Sequence, residues 1–256
     1  MKILYLSAVI IMALLLNPGC RGTGGDANNS GRSDENTSAQ DTGFTGVKKF
    51  KSGGHVVLEE TYRNGIRDGI ATTYYESGTV KGTSLYVNGL RQDSSKWFYL
   101  EGQLFRSTPF KNDTVEGIQK QYYRNGRLKA RIGYKKGIRT FEFEEFDLNG
   151  RKYTAYPDLV VTAKDDYKSK GTYTISVTTT DKTAKVKFYR GDFSNGLFDS
   201  TKTDRLKIIN GTGILELRKT DASQPASFDI LASILSPYGN SYLVYKKVDL
   251  PYRDLK

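Results

Sequence analysis

The chain has 256 residues, with 39 Lys or Arg against 28 Asp or Glu and a formal net charge of +11. One cysteine excludes an intrachain disulfide, and one cysteine with one histidine excludes the tetrahedral zinc spacings. Neither GxxxxGK[ST] nor GxGxxG occurs, so no phosphate-cradling loop is signalled.

The first element is a leader. Lys2 precedes ILYLSAVIIMALLL and then NPGC, a basic start, an apolar run and small residues. This predicts a secretory signal over residues 1–19, since a membrane-spanning helix needs about 20 apolar residues. Cys20 follows Gly19 directly and resembles the lipobox cysteine of bacterial lipoproteins, although Asn17 stands where that motif prefers Leu. The resemblance implies lipidation at Cys20 and a protein held by acyl chains at the cell envelope, in the outer membrane. Export places the chain away from nucleic acid. From Arg21 to Gly46 the sequence is rich in Gly, Ser, Thr, Asn and Asp and holds one aromatic. A flexible tether over 20–45 is expected, with a reach on the order of 30 Å.

A repeat follows over 46–157. Phe50, Tyr62, Tyr74, Tyr86, Phe98, Phe110, Tyr122, Tyr134 and Phe146 recur every twelve residues, although aromatics make up only 12% of the chain. Glycine follows four residues after every second ring (Gly54, Gly78, Gly102, Gly126, Gly150). After the others Gly65, Gly89, Asp113 and Gly137 come three residues on. The true period is therefore twice the ring spacing and has two unlike halves, the mark of a repeat array. Asn-Gly pairs give hairpin turns, and Asp113 is one of the few residues that can replace glycine there. Between turns the pattern alternates: Leu128, Ala130, Ile132 and Tyr134 on one face, Arg127, Lys129, Arg131 and Gly133 on the other. The expected fold is an all-β antiparallel meander, with the rings laddered on one face.

The units ATTYYESGTVKGTSLYVNGL (71–90) and QKQYYRNGRLKARIGYKKGI (119–138) resemble MORN repeats of the variant form found in bacterial exported and antitoxin-like proteins. The resemblance implies a repeat sheet that contacts membrane lipid, scaffolds or dimerises, and it carries no catalytic residues.

Residues 158–256 lose the period. Seven short runs, among them TYTISVTTT (172–180), SFDILASIL (227–235) and YLVYKKVDL (242–250), predict an immunoglobulin-like β-sandwich, the alternative being strands that extend or cap the repeat sheet.

No catalytic group, cofactor or metal site is expected. His55, the one histidine, stands beside Gly53 and Gly54 and suits a turn. Glu142, Glu144, Glu145 and Asp147 suit an acidic solvent face. A hairpin at Gly137–Ile138 would set Arg131 opposite Glu145 and Lys129 opposite Asp147. Two surfaces are candidates for binding. One is a basic turn edge, Arg63, Arg67, Arg91, Lys111, Lys135, Lys136 and Arg139, suited to an anionic envelope component or acidic protein. The other is an aromatic column, Tyr75, Trp97, Tyr99, Phe105 and Tyr123, suited to a partner or to packing. The function expected is a non-catalytic binding or scaffold module at the envelope. The alternative is an antitoxin or immunity protein that neutralises a partner toxin.

Overall fold

A computed structural model describes residues 43–182 and 185–256. The signal segment, Cys20 and nearly all of the expected tether lie outside the described residues.

The repeat region is one antiparallel meander. Its strands are β1 (Gly46–Ser52), β2 (His55–Arg63), β3 (Ile66–Tyr74), β4 (Val80–Val87), β5 (Leu90–Phe98), β6 (Leu104–Lys111), the short β7 (Thr114–Val115), β8 (Gly117–Tyr122), β9 (Leu128–Lys135) and β10 (Ile138–Glu145). They pair in chain order, with β7 a side branch on β6.

Two kinds of turn alternate. On one edge, Asn64-Gly65, Asn88-Gly89, Asn112-Asp113 and Lys136-Gly137 all have positive φ at both residues. That is the type I′ geometry which matches strand twist. The second residue of each pair donates its N–H across the repeat boundary: Gly89 to the Arg67 carbonyl, Asp113 to Arg91 and Gly137 to Val115. On the other edge the turns are three residues long. Tyr75, Tyr99, Tyr123 and Asp147 each accept from the glycine three positions on, and each donates to the residue after it. This is a type I turn closed by a left-handed glycine. Phe44 and Thr45 already belong to the sheet: the Phe44 carbonyl accepts from Gly65, and the Thr45 hydroxyl accepts from Asn64.

A third element of the period lies inside the strands. Gly69, Asp93 and Gly117 stand one full period apart, all with positive φ. Pairing is interrupted beside the first two, between Glu60 and Tyr62 and between Thr83 and Leu85. These bulges bend the strands and break strict alternation. A corresponding interruption separates Arg139 from Phe143, where no glycine stands.

The bulges correct two expectations. The nine rings do not share a face. Register puts Tyr62, Tyr86, Phe110 and Tyr134 on the face that carries buried Ala71, Ser95, Thr108 and Ile132. Tyr74 lies opposite, where its hydroxyl reaches Glu59 at 2.9 Å. From Tyr62 onward each half-period takes the chain from one sheet edge to the other and inverts the face, while Phe50 still shares the face of Tyr62. The β9–β10 register is also one residue off the expected one. Arg131 pairs with Glu144, and Ala130 pairs with Glu145. One residue of slip reverses every side chain, so Glu145 leaves the solvent face and is wholly buried.

The C-terminal part is a sandwich. One sheet is built from β11 (Leu159–Asp166), β12 (Thr172–Thr179), β17 (Thr212–Arg218) and β16 (Lys207–Ile209). The other holds β15 (Asp204–Arg205), β13 (Val186–Gly191), β18 (Ser227–Leu235) and β19 (Ser241–Asp249). Ile175, Val177 and Leu217 of the first meet Phe188, Ile230, Ala232 and Ile234 of the second in a single core. The capping alternative is realised as well, on a small scale. β14 (Leu197–Phe198) leaves the sandwich and pairs with β10, the last strand of the repeat sheet. Phe141 and Phe198 pack with Phe193, Leu231 and Leu243, on the sandwich face that turns away from its own core.

Candidate functional site

The type I′ edge carries the basic candidates, and the structure divides them. Arg67 lies over the Tyr86 ring at 4.2 Å and Arg91 over Phe110 at 4.1 Å, each stacked on the following repeat. Arg67 also meets Glu60 at 3.5 Å, and Arg91 meets Asp113 at 2.8 Å. The hydrogen bond from Arg91 holds the Asp113 carboxyl below its ordinary range. Arg139 stacks on Phe143 and donates to the Ser241 carbonyl at 2.8 Å. Burial lowers its affinity for the proton. All three guanidinium groups are engaged by partners within the fold, although the Arg67 and Arg91 side chains stay 40% and 35% exposed.

Arg63, Lys111, Lys135 and Lys136 differ. All four are exposed. Arg63, Lys111 and Lys135 hold one register, the last strand residue before each turn, with Val87 between them. Among the described residues none of the four side chains enters an ion pair. Apolar residues flank them: Ile66 is 52% exposed, Leu90 41% and Val87 40%. The edge therefore presents unpaired cations beside bare aliphatic side chains.

The aromatic column lies at the other edge. Tyr75 donates to the Phe98 carbonyl at 2.7 Å, Tyr99 to Tyr122 at 2.9 Å and Tyr123 to Phe146 at 2.7 Å. Each hydroxyl thus reaches one repeat ahead. Each ring is covered by a residue extruded at a bulge: Lys81 over Tyr75, Phe105 against Tyr99 and Lys129 over Tyr123. Burial raises the Tyr99 and Tyr123 phenols above their ordinary range. Trp97 lies under Arg106 at 4.6 Å, and burial lowers the pKa of that guanidinium. The column is a set of latches. In each case the acceptor is a main-chain carbonyl of the next repeat, which carries no side-chain signal.

The acidic strand splits similarly. Glu144 bridges Arg131 at 3.3 Å and Lys152 at 2.7 Å on the solvent face. Asp147 accepts from the Asn149 and Arg151 amides within its own turn. Glu145 points inward and accepts from Ser236 and Asn240 of the β18–β19 turn at 2.8 and 2.9 Å. Nothing in the sequence marks it, because its orientation depends on the bulge before Phe143. Among the described residues no three His, Cys, Asp or Glu side chains are grouped to hold a metal.

Residues 67–88 and 115–136 match the family described as the MORN repeat variant. The two matches begin two full periods apart, and each runs from the residue after a type I′ turn to the next such turn. The unit between them, from Arg91, keeps the same turns, stacked arginine and latch. No curated protein matches the chain.

Proposed function

We propose that this protein is a non-catalytic binding module, anchored at the cell envelope through Cys20, whose type I′ turn edge engages an anionic surface or acidic partner. One observation carries the reading. Of seven basic residues on that edge, the three arginines stacked on rings are committed to the fold, while Arg63, Lys111, Lys135 and Lys136 are exposed and unpaired. They stand on rigid hairpin turns in fixed register, so little ordering entropy is lost on contact. Exposed Ile66, Val87 and Leu90 add apolar area to the same edge. The signal-like leader and the lipobox-like cysteine support display outside the cytoplasm.

The test uses the Cys20→Ser chain, so that no acyl anchor contributes, with vesicles containing phosphatidylglycerol. Cations near an anionic surface contribute roughly 1 kcal/mol each at low salt. Changing Arg63, Lys111, Lys135 and Lys136 together to Ser is expected to lower vesicle binding on the order of a thousand-fold. Unchanged binding refutes the edge. The neutralising alternative predicts one tightly bound protein from envelope extracts and no vesicle binding by the parent chain.

A further inference from the structure

A second site lies where the end of the repeat sheet meets the β18–β19 turn. A cavity of about 580 Å³ opens there. Its wall is aromatic, with Tyr153, Tyr156 and Tyr242 joined by Pro157 and Pro237. Tyr153 and Tyr156 meet edge to face at 4.8 Å, and Tyr156 and Tyr242 lie 4.6 Å apart. Ser236 lines the same cavity and donates to Glu145 behind it. Asp181 and Lys185, of opposite sign, also line it.

Three buried oxygens around this cavity lack a hydrogen bond of good geometry: Glu145 Oε2 and the hydroxyls of Tyr156 and Tyr242, the first two lying close enough to act on each other. Glu145 is fully buried and Tyr242 only 7% exposed. Among the described residues no Lys or Arg forms a direct ion pair with Glu145, although the Arg139 guanidinium acts on it through space. A carboxylate withdrawn from water without a direct ion pair is costly, and native folds satisfy such groups. Burial pushes the Tyr242 phenol up to about 12. The Tyr156 phenol is raised first by burial and then by the charge of Glu145. Both therefore remain neutral, with intact oxygen lone pairs and electron-rich ring faces. An anion would meet Glu145. A cation would meet π faces, two phenol oxygens and an acidic counter-charge one hydroxyl away, the composition of an aromatic cage.

We infer that this cavity binds an alkylammonium group, with Tyr153, Tyr156 and Tyr242 as the cage and Glu145 as the buried counter-charge. The site is separate from the basic turn edge, which prefers ligands of opposite sign.

The experiment is calorimetric titration of the full chain in non-ionic detergent. The probes are choline, its uncharged isostere 3,3-dimethylbutan-1-ol and the peptide amide Gly-Lys-Gly. At least one cationic probe is expected to bind about ten-fold more tightly than the isostere. Preference for choline assigns a free quaternary ammonium; preference for the peptide assigns a lysine side chain of a protein partner. Glu145→Gln is expected to weaken the cation about ten-fold and leave the isostere unchanged. Tyr242→Phe, which keeps the ring and its packing, is expected to weaken the cation by a smaller factor. Equal affinity for choline and the isostere, or saturation by none of the three probes, overturns the proposal. Vesicle binding is expected to be unaltered in both variants, so this reading and the edge reading fail independently.

Discussion

Lys136 holds a position that its side chain does not favour. The first residue of each type I′ turn has φ near +50°, and three of the four are Asn64, Asn88 and Asn112. Lys136 sits there at φ +50° with its N–H on the Glu116 carboxylate at 2.6 Å. An L-residue with an ordinary Cβ costs roughly 1–2 kcal/mol in that region, and Asn recovers part of it. Lys136→Asn is therefore expected to stabilise the protein by about 0.5–1 kcal/mol, read as a raised urea midpoint at unchanged slope. A fall in midpoint would show that the lysine side chain contributes packing that the turn geometry does not reveal. The same scale shows how far single residues were legible. Asp113 is legible as a left-handed residue, and its φ is +62°, because turn chemistry is local. Glu145 is not legible in the same way, because its orientation is set by the interruption between Arg139 and Phe143. No glycine, Asn or Asp marks that interruption.

Between elements, each hairpin is tied to the next at both edges. On the type I′ edge the tie is a backbone amide and a stacked arginine. On the other it is the tyrosine hydroxyl on a carbonyl one repeat ahead. The period was legible because each repeat satisfies the same neighbour with the same groups. The alternation of faces was not, since it follows from odd-numbered insertions at bulges that one ring per half-period does not encode. The ties can be removed singly. Tyr99→Phe deletes the bond to the Tyr122 carbonyl and keeps the T-shaped contact with Phe105 at 5.1 Å. The expected loss is about 1 kcal/mol. Removing all three latches, at Tyr75, Tyr99 and Tyr123, is expected to cost about 3 kcal/mol, because the sites lie a repeat apart and share no partner. Tyr122→Phe is the control, because its hydroxyl makes no hydrogen bond to a described residue. Its loss is expected to stay below about 0.5 kcal/mol, as for surface changes generally. If Tyr99→Phe matches that control in chemical denaturation, the hydroxyls do not latch the array.

At the scale of the described fold, the two ends of the repeat sheet are unlike. At the first end β1 pairs only with β2 and carries Lys48, Lys49 and Lys51. Charged lysines protect an open edge against pairing with another chain. At the other end β10 receives β14, and Phe141 and Phe143 pack on the sandwich. Glu145 accepts from the β18–β19 turn across the same junction. In an array stabilised by nearest-neighbour contacts, the capped end should open least often. Amide exchange is therefore expected to be fastest in β1 and β2 and slowest in β9 and β10. Phe198 tests the cause. Its ring lies 4.9 Å from Tyr189 and 6.1 Å from Phe193 at this junction. Phe198→Ser removes the apolar side chain from β14 and leaves the core between the two sandwich sheets untouched. Deleting a half-buried aromatic side chain is expected to cost about 2–3 kcal/mol, below the full core value. If the sandwich caps the array, that loss falls on β8 to β10, whose exchange accelerates roughly thirty-fold or more, while β12 and β17 keep their protection. A uniform acceleration across both parts would mean that sheet and sandwich unfold as one cooperative unit. In that case β14 is an ordinary core element and the gradient along the repeats disappears with it.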